Sequence, residues 1–146
     1  MKRNVVAGVL RSGFALVLMS AGVLVAAPSP VADAVMPGWL TADFREREPQ
    51  ITEKVKAMML TTPVEGYVAC CEVLSTLNLR EELPKIKSPT LVIAGRHDTS
   101  TPVAANEFIR GNIPGASMTI LDAAHISNLE QPHAFTDAVI GFLTQK

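Results

Sequence analysis

Asp98 and His125 are the residues of this 146-residue chain whose types and spacing point to covalent chemistry. Asp98 closes the segment Gly95-Arg96-His97-Asp98 just after a β-prone run, TLVIA, at residues 90–94. His125 closes Ala123-Ala124-His125 just after a second such run at residues 117–121. An aspartate and then a histidine, each past the carboxyl end of its own parallel strand, follow the order in which an open-sheet hydrolase supplies the last two members of a Ser-His-Asp triad. A serine hydroxyl is a poor nucleophile until an imidazole accepts its proton, and the imidazole needs a carboxylate to fix its tautomer and stabilise its charged form. Asp98 then orients and His125 transfers the proton. Taken singly, each has a plainer reading, since loop aspartates cap turns and a histidine beside alanines can be a satisfied buried polar group. His97 is the rival base, but a residue next to the acid in one loop points elsewhere and is read as a loop residue near the pocket rim. Asn128 and Glu130 brace the His125 loop or cap the helix that follows.

The elements that position this pair follow from periodicity. Residues 90–94 are continuously apolar or β-branched, as in a strand buried on both faces of a parallel sheet. Residues 103–110 are helical, Ile113-Pro114-Gly115 turns, and residues 117–121 form the second strand, giving a strand-helix-strand unit with a right-handed crossover. Pro132 opens a last helix whose apolar positions Phe135, Ala138, Val139, Phe142 and Leu143 share one face and cover the sheet. Upstream, Pro37, Pro49 and Pro63 punctuate short helices. Ile51, Val55, Met58 and Met59 form one helical stripe, and Tyr67, Cys70, Cys71, Leu74 and Leu77 another. Both stripes are expected to pack, with the methionines as gap-filling core or as the lining of an apolar pocket.

Composition narrows the partners. The chain has 14 acidic and 13 basic side chains, so no basic field is available to hold a nucleic acid. Residues 1–27 look like an export signal: Lys2 and Arg3 come first, residues 14–27 are uncharged and apolar, and Val25-Ala26-Ala27 precedes Pro28. Arg11 leaves the uncharged run shorter than the roughly 20 residues a membrane span requires. Cys70 and Cys71 are adjacent, a poor geometry for a disulfide, and are read as reduced. With His97 and His125 far away in sequence they match no zinc-ligand spacing, so no metal is expected.

The chain resembles the 3-oxoadipate enol-lactonases of the α/β-hydrolase superfamily. The likeness rests on Trp39-Leu40-Thr41 and Phe44, on Glu65-Gly66-Tyr67 with Ala69-Cys70-Cys71, and on Pro89-Thr90-Leu91-Val92-Ile93-Ala94-Gly95 with Asp98. It continues through Ile113-Pro114-Gly115-Ala116, residues 121–128, and Glu130-Gln131-Pro132, and is close to continuous over residues 31–143. The resemblance implies the C-terminal portion of an α/β-hydrolase fold: a signal-like or spurious apolar segment at 1–30, a partial helical cap at 31–84, and an incomplete core sheet at 85–146. It implies hydrolysis of an enol-lactone, a carboxylic ester, to 3-oxoadipate in aromatic-compound breakdown, without cofactor, with Asp98 as acid and His125 as base. Trp39 and Tyr67 then either line the substrate pocket or pack cap against core. The resemblance implies a cytoplasmic location, and the signal-like opening residues leave export or membrane association as the alternative.

The family's nucleophile lies on a Gly-x-Ser-x-Gly turn ahead of the cap, and no such motif occurs here. The nearest candidate is Ser20 in Leu18-Met19-Ser20-Ala21-Gly22, where Leu18 replaces a required small residue. The glycine-bearing loop that supplies an oxyanion-hole amide is missing as well. The expectation is therefore a truncated enol-lactonase, inactive alone, with an open sheet edge that favours self-association or complementation by a missing N-terminal half. The alternatives are an exported binding protein built on a hydrolase remnant, or a small esterase that uses Ser20.

Overall fold

Thr90–Gly95, six consecutive buried residues, is the middle strand of a parallel sheet. In the computed structural model of the protein, which describes residues 4–7 and 29–145, the sheet runs β1 (Asn4–Ala7), β2 (Thr90–Gly95), β3 (Ser117–Leu121). Asn4 lies opposite Thr90 in the first pairing, and Leu91 opposite Ser117 in the second. Side-chain alternation along β2 sends Leu91 and Ile93 to one face and Val92 to the other. On the first face they join Leu121, Ala123 and Phe142. On the second, Val92 packs on Ile109 and Ile113.

The crossover helix α5 (Val103–Asn112) buries Asn106 and Ile109, the one-turn α6 (Ser127–Glu130) follows β3, and the last helix α7 (Pro132–Thr144) starts with proline in its first turn and buries Phe142. Proline fits there because its missing N–H has no partner to lose and its φ is already helical. Phe135 and Val139 pack beside Phe142, as the period predicts, but Leu143 is exposed together with Ile140. The sheet offers α7 a contact narrower than the apolar stripe in its sequence.

Among the described residues, four helices and a 3-10 turn (Arg80–Lys85) stand between β1 and β2: α1 (Ser29–Trp39), α2 (Ala42–Arg47), α3 (Pro49–Leu60) and α4 (Val64–Thr76). Met36, Leu40, Phe44 and Val55 form one core of this segment, and Ala32, Val35 and Met59 another. A 2.5 Å ion pair between Lys56 and Asp33 joins α3 to α1. Full burial of Leu40 contributes about 2 kcal/mol.

Three sequence expectations need correction. Residues 4–7, read as part of an apolar leader, form a third strand; the rest of residues 1–28, Ser20 included, lies outside the described residues. Pro37 does not separate helices but sits inside the last turn of α1, and the helical bonding resumes past it, with Leu40 N–H donating to the Met36 carbonyl at 3.0 Å. The α4 stripe is packed only in part: Tyr67 lies against Ala32, Val35 and Met59, but α4 has no buried residue, and Cys70 and Leu74 are exposed. Among the described residues no helix is long and apolar enough to cross a membrane.

Candidate active site

Gly95 ends β2 where the two functional loops nearly touch. A Cβ at this position would stand 2.1 Å from the carbonyl oxygen of Ala124 and 2.6 Å from that of Ala123, so only glycine permits the approach. Two backbone bonds hold the loops together: Arg96 N–H donates to the Leu121 carbonyl (2.8 Å) and His97 N–H to that of Ala123 (2.9 Å). The chain then turns inward and buries Asp98.

Four donors converge on Asp98. Oδ1 accepts from the backbone N–H groups of Ser100 (2.8 Å) and Thr101 (2.9 Å), and Oδ2 accepts from the Thr101 hydroxyl (2.5 Å) and from His125 Nδ1 (2.7 Å). Burial pushes the Asp98 carboxyl up, but the bonds from His125 and Thr101 outweigh it and hold the group below the usual carboxylate range. A carboxylate that accepts at Nδ1 fixes the proton on that nitrogen and leaves the Nε2 lone pair free. Among the described residues no hydrogen bond engages Nε2, and the His125 side chain is 35% exposed. The arrangement can accept a proton at Nε2 and stabilise the resulting imidazolium through Asp98.

The rival histidine is occupied elsewhere. His97 Nε2 lies 2.8 Å from Asp122 Oδ1 on the surface, and His97 lines no part of the cleft between Trp39 and Tyr67. Trp39 and Tyr67 do meet in an open cleft of about 500 Å³, completed by Val55, Met58, Met59, Thr62, Ile126, Asn128 and Leu129. Ile126 follows His125 in sequence, so one wall of the cleft belongs to the loop that carries the histidine. Tyr67 also packs against the Ala32 cluster. Burial first, and the adjacent Cys71 thiol second, raise the Tyr67 phenol above its usual value, leaving it a neutral hydrogen-bond donor at the wall. Met58 is 72% exposed, consistent with a cleft wall rather than core. Cys70 and Cys71 are both free thiols on α4.

Sequence reasoning missed Thr101. Its signal was present in Asp98-Thr99-Ser100-Thr101, where an aspartate two and three residues ahead of the N–H groups it accepts is a local side-chain turn. Asn106, fully buried, donates to the Thr101 and Pro102 carbonyls and so anchors the same turn to α5. Glu130 neither caps α7 nor faces solvent: its carboxylate accepts from Thr41 and from the backbone of Ala124. Asn128 lines the cleft.

Residues 59–132, about half the chain, match the family model of the alpha/beta hydrolase fold. The chain belongs to the α/β-hydrolase family. Within it, the sequence is 40% identical over 111 residues to 3-oxoadipate enol-lactonase 2 of Acinetobacter baylyi, a match covering 76% of this chain and 42% of that protein. It is 33% identical over 105 residues to 3-oxoadipate enol-lactonase 1 of the same organism, covering 72% and 40%. The crystal structure of the enol-lactonase from Burkholderia xenovorans superposes with a TM-score of 0.79 at 44% identity, over 80% of this chain and 45% of that one. This α/β-hydrolase thus spans about two-fifths of the length of the curated relatives it matches.

Proposed function

We propose that this chain carries the acid and base of a Ser-His-Asp enol-lactone hydrolase, with Asp98 orienting His125 and His125 moving the proton. The observation that carries the reading is the 2.7 Å bond from His125 Nδ1 to a buried Asp98 that three further donors hold in place. His125 Nε2 takes the proton of the attacking hydroxyl and returns it to the leaving enolate oxygen. The helices from α1 to α4 act as a cap, and the cleft between Trp39, Tyr67 and Leu129 receives the lactone. Likeness to the two Acinetobacter enol-lactonases favours that ester class over others. The pathway role is the breakdown of aromatic compounds, inside the cell.

The nucleophile comes from polypeptide outside the described residues. A segment equivalent to the part of the Acinetobacter enol-lactonase that this chain does not match supplies it. Co-expression of that segment with the full chain should yield a complex that hydrolyses an enol-lactone, and His125→Ala or Asp98→Asn should lower kcat by about 10³-fold or more. A stable complex with no turnover, or one indifferent to His125→Ala, would sink the reading. If the full chain alone hydrolyses the lactone and loses that activity on Ser20→Ala, Ser20 is the nucleophile instead.

A further inference from the structure

The loop that carries His125 is tied to the helical segment on both sides of the histidine. On one side, Ile126 N–H donates to the Trp39 carbonyl at 3.0 Å. On the other, Ala124 N–H donates at 3.0 Å to Glu130 Oε1, which also accepts the Thr41 N–H at 3.1 Å. Glu130 Oε2 accepts the Thr41 hydroxyl at 2.7 Å, and that hydroxyl accepts in turn from Phe44 N–H as the N-cap of α2. Residues 39–41 therefore face residues 124–126, with a buried carboxylate between them.

A carboxylate sealed from water and holding three donors is costly to leave half-satisfied, so the alternatives are all bonds made or the junction open. Trp39 and Ile126 also line the cleft, which places this junction under the wall that a ligand would press. We infer that Glu130 is a positioning residue that locks the helical segment to the His125 loop, so that seating of the α1–α2 junction and alignment of the imidazole on Asp98 occur together. The inference rests on reading Asp98 and His125 as acid and base. Glu130 does not touch the reacting atoms; it acts through the backbone of Ala124.

The test is proton NMR and amide exchange on the isotopically labelled full chain. Two signals are read: exchange protection of the Ala124 and Thr41 amides, which reports the tie itself, and the hydrogen-bonded Nδ1–H of His125, which reports its alignment on Asp98. Glu130→Ala should speed exchange at Ala124, Thr41 and the His125 Nδ1–H by about tenfold or more, the factor for losing one buried hydrogen bond of ordinary strength. Thr41→Val should do so partially, and Thr41→Ser should restore wild-type behaviour. Ile109→Ala, a core deletion on the far face of the sheet, should lower stability without changing the His125 signal.

A folded Glu130→Ala or Thr41→Val protein whose His125 Nδ1–H exchanges at the wild-type rate would overturn the inference. So would an Ile109→Ala protein that loses the signal equally. Should Glu130→Ala fail to fold, the Thr41→Val and Thr41→Ser pair decides. Asp98→Asn separates the two readings: it should alter the His125 resonance while leaving Ala124 and Thr41 protected. An unaltered resonance there would reject the Asp98–His125 pairing, whereas lost protection only in the Glu130 and Thr41 variants would still mark the tie.

Discussion

Helices α1 to α3 and helix α4 belong to one helical segment and have opposite fates. The first three bury Ala32, Val35, Met36, Leu40, Phe44, Val55 and Met59, and their junction with the His125 loop is bonded through Trp39, Thr41 and Glu130. Helix α4 has no buried residue, its Tyr67 being only half-buried, and Val73 is 59% exposed. An apolar period therefore shows that a helix has a face to bury, not that a neighbour covers it. What fixes a helix to the His125 loop here is a set of polar contacts distant in sequence, 89 residues apart between Thr41 and Glu130.

Substitutions can break this contrast. The largest effect is expected at Gly95→Ala, because the new Cβ would overlap the backbone carbonyls of Ala123 and Ala124, which no side-chain rotation can relieve. Loss of about 4 kcal/mol or more is expected, enough to unfold the chain, read as a lost cooperative transition in urea. Leu40→Ala comes next. It removes a fully buried side chain from the α1–α3 core and should cost about 3 kcal/mol in the same measurement.

The strand-helix-strand unit, Pro132 at the start of the last helix and the pairing of Asp98 with His125 were legible because each depends on residues close in sequence or on a fixed order of elements. Thr101 was legible in principle as the end of a local turn. The Glu130–Thr41 junction was not, since nothing in a glutamate six residues after Ala124 names a threonine in another segment. Strand β1 was hidden for a different reason: Asn4-Val5-Val6-Ala7 lies in a stretch whose overall apolar, basic-ended composition reads as a leader. Composition averages over a window, and a four-residue strand is shorter than that window.

Asp98→Asn should have a middle-sized effect that depends on pH. The folded carboxyl is held below its unfolded value, so it contributes stability that is fully present above the ordinary carboxylate value of about 3.9 and is lost as pH falls through the lower folded value. Asparagine cannot carry that charge. The wild type should exceed the variant by on the order of 1 kcal/mol at neutral pH, and the two should converge in acid. Denaturant midpoints at pH 7, 5, 4 and 3 check this, and a gap that widens toward low pH would contradict the bonding described for Asp98.

The smallest effect sharpens the comparison most. Val73→Ala and Leu74→Ala on α4 remove exposed side chains, so each should change stability by less than about 0.5 kcal/mol. Alanine even has the higher helix propensity than valine, which makes Val73→Ala neutral or slightly stabilising. If either substitution instead costs as much as Leu40→Ala, α4 is covered in solution by a surface beyond the described residues. Repeating the unfolding over a range of protein concentrations then separates the sources. A midpoint that rises with concentration in the wild type and not in the variant assigns the cover to a second copy, and a concentration-independent loss assigns it to the chain's own remaining residues.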